Sequence, residues 1–189
     1  MKTIIVCRCA QSVNGEVTGY GFMQAHSVGK MLQRRQFKVQ RLVYCDPPTQ
    51  QTAMVIAAAI HFSPRPEEML CFMPKYKENV LEELKMLSKL HATMNDVLRE
   101  CEKACLVRAQ MNKALLCLAK DMQRAQEETA LVVTHSLFAE LASPPYDCSI
   151  PLGLGEGDCV VYGVEEDTQK IADHMHAYIP ASIPSHSKF

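Results

Sequence analysis

Six side chains in this sequence have the types and positions to do chemistry, and they fall into three pairs: Arg8 and Cys9, Cys45 and Asp46, His135 and Ser136. Each pair directly follows a short apolar run. A guanidinium fork and an imidazole at the start of a helix suit an anion such as phosphate or carboxylate. A thiol next to an arginine and within reach of a histidine can be drawn toward the thiolate, giving a Cys-His nucleophile or a redox-sensitive sulfur. The same residues also have quieter uses. Arg8 can pair with a local carboxylate such as Asp46, His135 can be a hydrogen-bonded structural residue, and Cys9 can act as a small apolar filler.

The order of elements decides whether these pairs meet. The runs Thr3 to Cys7, Arg41 to Tyr44 and Ala130 to Thr134 are β-rich, too short for helices and free of polar alternation. That pattern predicts strands buried on both faces of a parallel sheet. Each run is followed by a turn and a helical pattern. Thr18 is placed to cap a helix ending near Arg35, with Ala25, Val28 and Leu32 on one side and Gly29 permitting close approach to the sheet. Thr49 is placed to cap a helix from Gln51 to Ile60 after the Pro47-Pro48 turn, with Gln51 and Thr52 as first-turn residues. Ser136 is placed to cap a short helix through Ala142.

Between Ile60 and Ala130 the sequence predicts an irregular connector, His61 to Pro74, holding a short strand at Met69 to Phe72. Helices follow over Val80 to Leu90 and Asp96 to Arg124, the second with an apolar stripe through Val97, Cys101, Ala104, Met111, Leu115 and Leu118. Asp158 to Glu165 reads as a closing strand, followed beyond Asp167 by an ordered edge and a loose tail. The sum is one α/β domain over residues 1–178 and a flexible tail over 179–189. Its expected architecture is a three-layer α/β/α sandwich around a mostly parallel, doubly wound sheet. Sheets of this kind carry their sites beyond the carboxyl ends of the strands, where all three pairs lie.

The motifs around those strand ends resemble the histidine phosphatase (phosphoglycerate mutase-like) superfamily. Val6-Cys7-Arg8-Cys9-Ala10-Gln11-Ser12 is similar to its signature, a strand ending in Arg-His-Gly and then a polar pair such as Gln-Ser. Val17-Thr18-Gly19-Tyr20-Gly21-Phe22-Met23-Gln24-Ala25 resembles Leu-Thr-x-x-Gly-x-x-Gln-Ala. Val43-Tyr44-Cys45-Asp46-Pro47 and then Gln51-Thr52-Ala53 resemble Ser-Ser-Pro and Gln-Thr-Ala. Leu131 to Ser136 is similar to the second-histidine motif, and Asp158-Cys159-Val160-Val161 to the closing strand. The motifs keep the family's order over residues 3 to 165. The resemblance implies a phosphoglycerate mutase-like fold with an anion pocket formed by Arg8, Gln11, Ser12, His135 and Ser136.

The departures fall on the residues that handle phosphorus. In working members the first histidine attacks the phosphoryl group while two arginines and the second histidine hold its oxygens. At that first position stands Cys9, followed by Ala10; the family's asparagine is displaced, with Asn14 one residue early. No arginine lies between Arg41 and Arg65 to supply the second guanidinium, and a general acid would be sought among Glu78, Glu82 and Glu83. The C-x5-R loop of cysteine phosphatases is absent too, since no arginine follows Cys9 until Arg34. Losing a nucleophile costs roughly 10³ to 10⁶ in rate, and losing a charge-stabilising donor about 10² to 10³ more. The resemblance therefore implies a pseudophosphatase without functional catalytic residues, a binding or scaffolding module for a protein partner or phosphorylated ligand. The alternative is an active phosphatase or mutase on small phosphoesters that uses Cys9 or His135 in an altered mechanism.

Composition narrows the remaining classes. With 189 residues and 48% apolar content the chain can build one sizeable core. Twenty basic and 21 acidic residues mix along it to a net charge of -1, which argues against nucleic acid or an anionic membrane surface as partner. No apolar run nears the roughly 20 residues of a bilayer span, and the start Met-Lys-Thr-Ile-Ile-Val reads as a strand. Nine cysteines, an odd number without repeating spacing, suggest reduced thiols in the cytoplasm. Cys7 and Cys9, or Cys101 and Cys105, share a face but lack the usual zinc-knuckle spacing, so no metal or other cofactor is expected. The terminal Ser187-Lys188-Phe189 resembles a peroxisomal Ser-Lys-Leu signal, an alternative address.

Overall fold

In the computed structural model of the chain, residues 1–61, 63–69, 86, 98–99, 101–135, 138, 155–165 and 177–179 are described. The three apolar runs form β1 (Lys2–Arg8), β4 (Arg41–Tyr44) and β6 (Thr129–Thr134), each buried along nearly its whole length. Between β1 and β4 lie a short hairpin, β2 (Ser12–Val13) with β3 (Glu16–Val17), and helix α1 (Gly19–Arg34). The hairpin turns on Asn14 and Gly15, both at positive φ (53 and 82), the Asn-Gly pairing that tight two-residue turns favour. Helix α2 (Pro47–Ala59), β5 (Arg65–Glu68), helix α3 (Glu102–Arg124), β7 (Cys159–Val164) and β8 (Ala177–Ile179) follow.

Six of these strands form one sheet in the order β5-β4-β6-β1-β7-β8, and β2 and β3 pair as a separate two-stranded one. β5, β4, β6 and β1 run parallel, while β7 pairs antiparallel with β1 and with β8. Successive side chains of β1 point to opposite faces. Ile4 and Val6 join Val43, Val132 and Tyr162 beneath Met111, Leu115 and Leu118 of α3. Ile5 and Cys7 join Leu42, Leu131 and Val133 beneath Ala25, Val28 and Leu32 of α1 and Ile56 of α2. The result is the expected α/β/α sandwich, each fully buried large side chain contributing about 1.5–3 kcal/mol. Among the described residues no helix is long and apolar enough to cross a membrane.

Several element boundaries differ from expectation for local reasons. Helix α2 starts at Pro47 rather than Gln51, and its N-cap is Asp46, not Thr49. Proline fits the first helical turn because its missing N–H has no intrahelical acceptor there, and the Asp46 carboxylate captures the Thr49 N–H in a reciprocal capping box. A strand forms at Arg65–Glu68, laid parallel to β4, and Met69 after it donates its N–H to the Tyr44 carbonyl at 2.9 Å; the rest of the strand expected at Met69 to Phe72 lies outside the described residues. Helix α3 begins at Glu102, where Cys101 is extended (φ −120) and caps it, its sulfur accepting from the Ala104 N–H; of the start expected at Asp96, Leu98 and Arg99 are helical, and residues 96, 97 and 100 lie outside the described residues. The helix expected over Val80 to Leu90 and that from Ser136 to Ala142 lie outside the described residues, except that Met86 and Phe138 are helical.

Gly29 serves a contact different from the one expected. It brings α1 against α2 rather than against the sheet, since a Cβ built there would stand 2.5 Å from Ala59 Cβ and 2.8 Å from the Ile56 carbonyl oxygen. Gly29→Ala should therefore destabilise the chain by about 1–3 kcal/mol, the range for forced overpacking. Gly19→Ala, whose Cβ meets nothing within 4 Å, should be neutral or stabilising. Urea unfolding of the two variants followed by circular dichroism measures the contrast, and equal losses would contradict it.

Candidate functional site

Parallel pairing brings the strand-end residues together. Arg8 lies opposite Thr134 in the β1–β6 register, so His135 stands one residue beyond, next to Cys9. Val43 lies opposite Val132 in the β4–β6 register, which sets Cys45 and Asp46 at the same edge. Five of the six singled-out residues thus share one edge; Ser136 lies outside the described residues, as do Glu78, Glu82 and Glu83.

The contacts form a chain through the imidazole. Cys9 donates its N–H to the Thr134 carbonyl at 2.7 Å, and its Sγ lies 3.5 Å from His135 Nδ1. On the other side of the ring, Nε2 lies 2.5 Å from Asp46 Oδ2. The second carboxylate oxygen, Oδ1, accepts from the Thr49 N–H at 3.1 Å and the Thr49 hydroxyl at 2.8 Å. One aspartate therefore caps α2 and holds the histidine at once. The structural cap fixes where the functional oxygen points.

Burial and charge set the protonation states. Burial pushes the Cys9 thiol up to about 12, overcoming the opposing pull of the Arg8 charge. Burial also raises the Asp46 carboxyl, but the hydrogen bond and charge of His135, with the two bonds from Thr49, outweigh it and hold Asp46 at about 2. At neutral pH the edge thus carries a protonated thiol and an ionised carboxylate on either side of one imidazole.

The loop after β1 is pinned by side chains whose role the sequence concealed. Thr52 accepts the Ala10 N–H at 3.3 Å, and Gln51 accepts the Val17 N–H at 2.9 Å, so both position the loop, and they do so from the second turn of α2 rather than the first as expected. Fully buried Gln24 accepts the Gln11 N–H at 3.0 Å and donates to Glu156 at 3.1 Å. Gly21 allows that closeness, since a Cβ there would lie 2.2 Å from the Gln11 carbonyl oxygen. Two signals pointed to Gln24: its match to the Gln of the Leu-Thr-x-x-Gly-x-x-Gln-Ala motif, and its place beside Ala25 on the apolar side of a helix, where an amide requires a partner. Gln11 spends its own side chain on the Thr18 hydroxyl at 2.8 Å, and Ser12 is exposed in β2.

The two arginines that bracket β4 and β5 are engaged at the opposite edge of the sheet. Arg41 Nε lies 2.6 Å from Glu127 Oε2, and exposed Arg65 lies 3.7 Å from Glu67. Neither brings a second guanidinium to the strand ends. Of the cysteine pairs weighed for metal, Cys7 faces the Gly157 carbonyl and Cys105 that of Leu98. A different set of donors, Cys45, Asp46 and His135, comes together instead, with ligand atoms all within 4.8 Å of one another.

Comparison by shape matches this architecture to solved structures of one fold. The phosphoglycerate mutase of Bacillus anthracis str. Sterne superposes with a TM-score of 0.65 at 13% identity, over 95% of this chain and 92% of that one. The protein histidine phosphatase SixA, complexed with tungstate, gives 0.60 at 12% identity over 93% and 96%. A mycobacterial glucosyl-3-phosphoglycerate phosphatase gives 0.58 at 13% identity over 96% and 98%. The chain has the histidine phosphatase, or phosphoglycerate mutase-like, fold. No family model matches the sequence, and no curated protein matches it either.

Proposed function

We propose that this chain is a binding module built on the histidine phosphatase fold, one that recognises a phosphate-bearing ligand or protein partner without transferring the phosphoryl group. The observation that carries this reading is the Asp46 carboxylate on His135 Nε2. In the family that the motifs resemble, the second histidine helps to hold phosphoryl oxygens. Here an anionic oxygen faces it already, and like charge opposes a second anion in that place. The resemblance also sets Cys9 where the phosphohistidine would form, and a second arginine is absent between Arg41 and Arg65. Binding requires less than transfer. Arg8, half-buried at the same edge, supplies positive charge for a phosphate without completing the clamp that phosphoryl transfer requires.

The alternative, a thiol nucleophile, draws support from the chain of contacts Cys9–His135–Asp46. Against it stand the protonated thiol and the state of the nearby backbone. The N–H groups of Cys9, Ala10 and Gln11 are all donated to protein acceptors, so they are not presented to a developing oxyanion. An aryl phosphate assay separates the readings. Wild-type protein should show turnover at the buffer background, and Cys9→His should stay there because Asp46 and the missing arginine are unchanged. Turnover that vanishes in Cys9→Ser or His135→Ala would overturn the proposal.

A further inference from the structure

Three donors of different chemical character converge at the ends of neighbouring strands β4 and β6: the Cys45 sulfur, the Asp46 carboxylate and the His135 imidazole, all within 4.8 Å. We propose that they form a binding site for a borderline-soft divalent cation of the zinc type, with Cys45 Sγ, Asp46 Oδ2 and His135 Nε2 as ligands and a fourth position for water or an external ligand. This site stands independently of whether the chain transfers phosphoryl groups.

The donor set points to the class of ion. Calcium and magnesium take oxygen ligands, whereas a thiolate, an imidazole and one carboxylate suit zinc and its neighbours. At bond lengths of about 2.0–2.3 Å, tetrahedral ligands stand roughly 3.3–3.6 Å apart, so the donors need shift only by about 1 Å. Nε2 and Oδ2 part to admit the ion and the sulfur draws in; the thiol proton leaves to solvent, and Nε2 gives up the proton it donates to Asp46, leaving the neutral ring protonated at Nδ1 toward the Cys9 sulfur.

The surroundings are those of an oriented site. Thr49 holds the other oxygen of Asp46 and also accepts the Cys45 N–H at 3.0 Å, fixing both neighbouring ligands from the first turn of α2. The remaining imidazole nitrogen, Nδ1, faces Cys9 Sγ at 3.5 Å, an outer partner that fixes the ring and leaves Nε2 for the ion. Cys45 is buried, while the side chains of His135 and Asp46 keep 17% and 12% exposure, an outward opening for entry and for the fourth ligand.

The test uses the full chain, stripped with a chelator and titrated with Co²⁺, whose thiolate charge-transfer band reports a sulfur ligand. One equivalent should bind with that band, and Zn²⁺ should displace it. The band should persist in Cys105→Ser/Cys117→Ser, which removes two exposed thiols, and should be lost in Cys45→Ser. His135→Gln, at the rim and so less exposed to folding failure, should weaken binding by at least ~10-fold with an unchanged circular dichroism spectrum. No stoichiometric Co²⁺ binding, or a band that survives in Cys45→Ser, would overturn the site. Either result leaves the aryl phosphate assay unaffected, so the two proposals fail separately.

Discussion

Alkylation of Cys9 by iodoacetamide at neutral pH should run on the order of 10³-fold slower than that of an ordinary accessible thiol. Only the thiolate reacts, and each unit by which the pKa exceeds ambient pH lowers the reactive fraction tenfold. Burial lifts this thiol from 9.0 to about 12, three such units. Its 8% exposure adds steric protection to the electrostatic kind. The rate should keep rising tenfold per pH unit up to about 12 rather than levelling near 9. Mass spectrometry of chelator-treated protein, labelled over time, reads the result, with exposed Cys105 and Cys117 as internal references. Labelling of Cys9 as fast as Cys105 would show a thiolate drawn out by Arg8 and His135 and would favour the nucleophile reading of this edge.

Asp46→Ala should destabilise the chelator-treated protein by about 2–4 kcal/mol, more than any surface change. It removes an N-cap, worth about 1 kcal/mol, and a charge-assisted hydrogen bond to His135, worth about 1.5–3 kcal/mol. Asp46→Asn keeps a capping oxygen and should lose about half as much. The charge also dictates a pH response. The carboxyl titrates at about 2 when folded, against 3.8 as the ordinary value, so the unfolded chain binds the proton first as pH falls. The stabilisation is therefore complete above the ordinary value and is lost as pH drops through about 2. Urea titrations of wild type and Asp46→Asn across that window should converge toward low pH. Parallel curves would mean that Asp46 is not held ionised by His135.

Much of the scaffold was legible because its signals are local. Three β-rich runs without polar alternation can hardly do other than enter a sheet buried on both faces, and β1, β4 and β6 do so. Thr18 caps α1 through the Gly21 N–H at 3.0 Å as a hydroxyl before an apolar-periodic stretch should. The strand-end rule then located Arg8, Cys9, Cys45, Asp46 and His135 before any contact was known. Boundaries slipped where two local solutions compete: Asp46 and Thr49 are both good caps, and the reciprocal bond between them makes the earlier one the start.

What only the tertiary structure decided is which atom meets which. Cys9 and His135 are 126 positions apart and Asp46 and His135 are 89 apart, so no periodicity links them. Nothing local says that Gly29 faces Ala59 rather than a strand, since one helix side can serve either neighbour. The sequence alone set the donors at one sheet edge by strand order and length. Packing then chose the Asp46 carboxylate for the imidazole and withdrew the Cys9 sulfur from water. Side-chain reach and desolvation depend on distances of tenths of an ångström, which the linear pattern of apolar and polar residues does not encode.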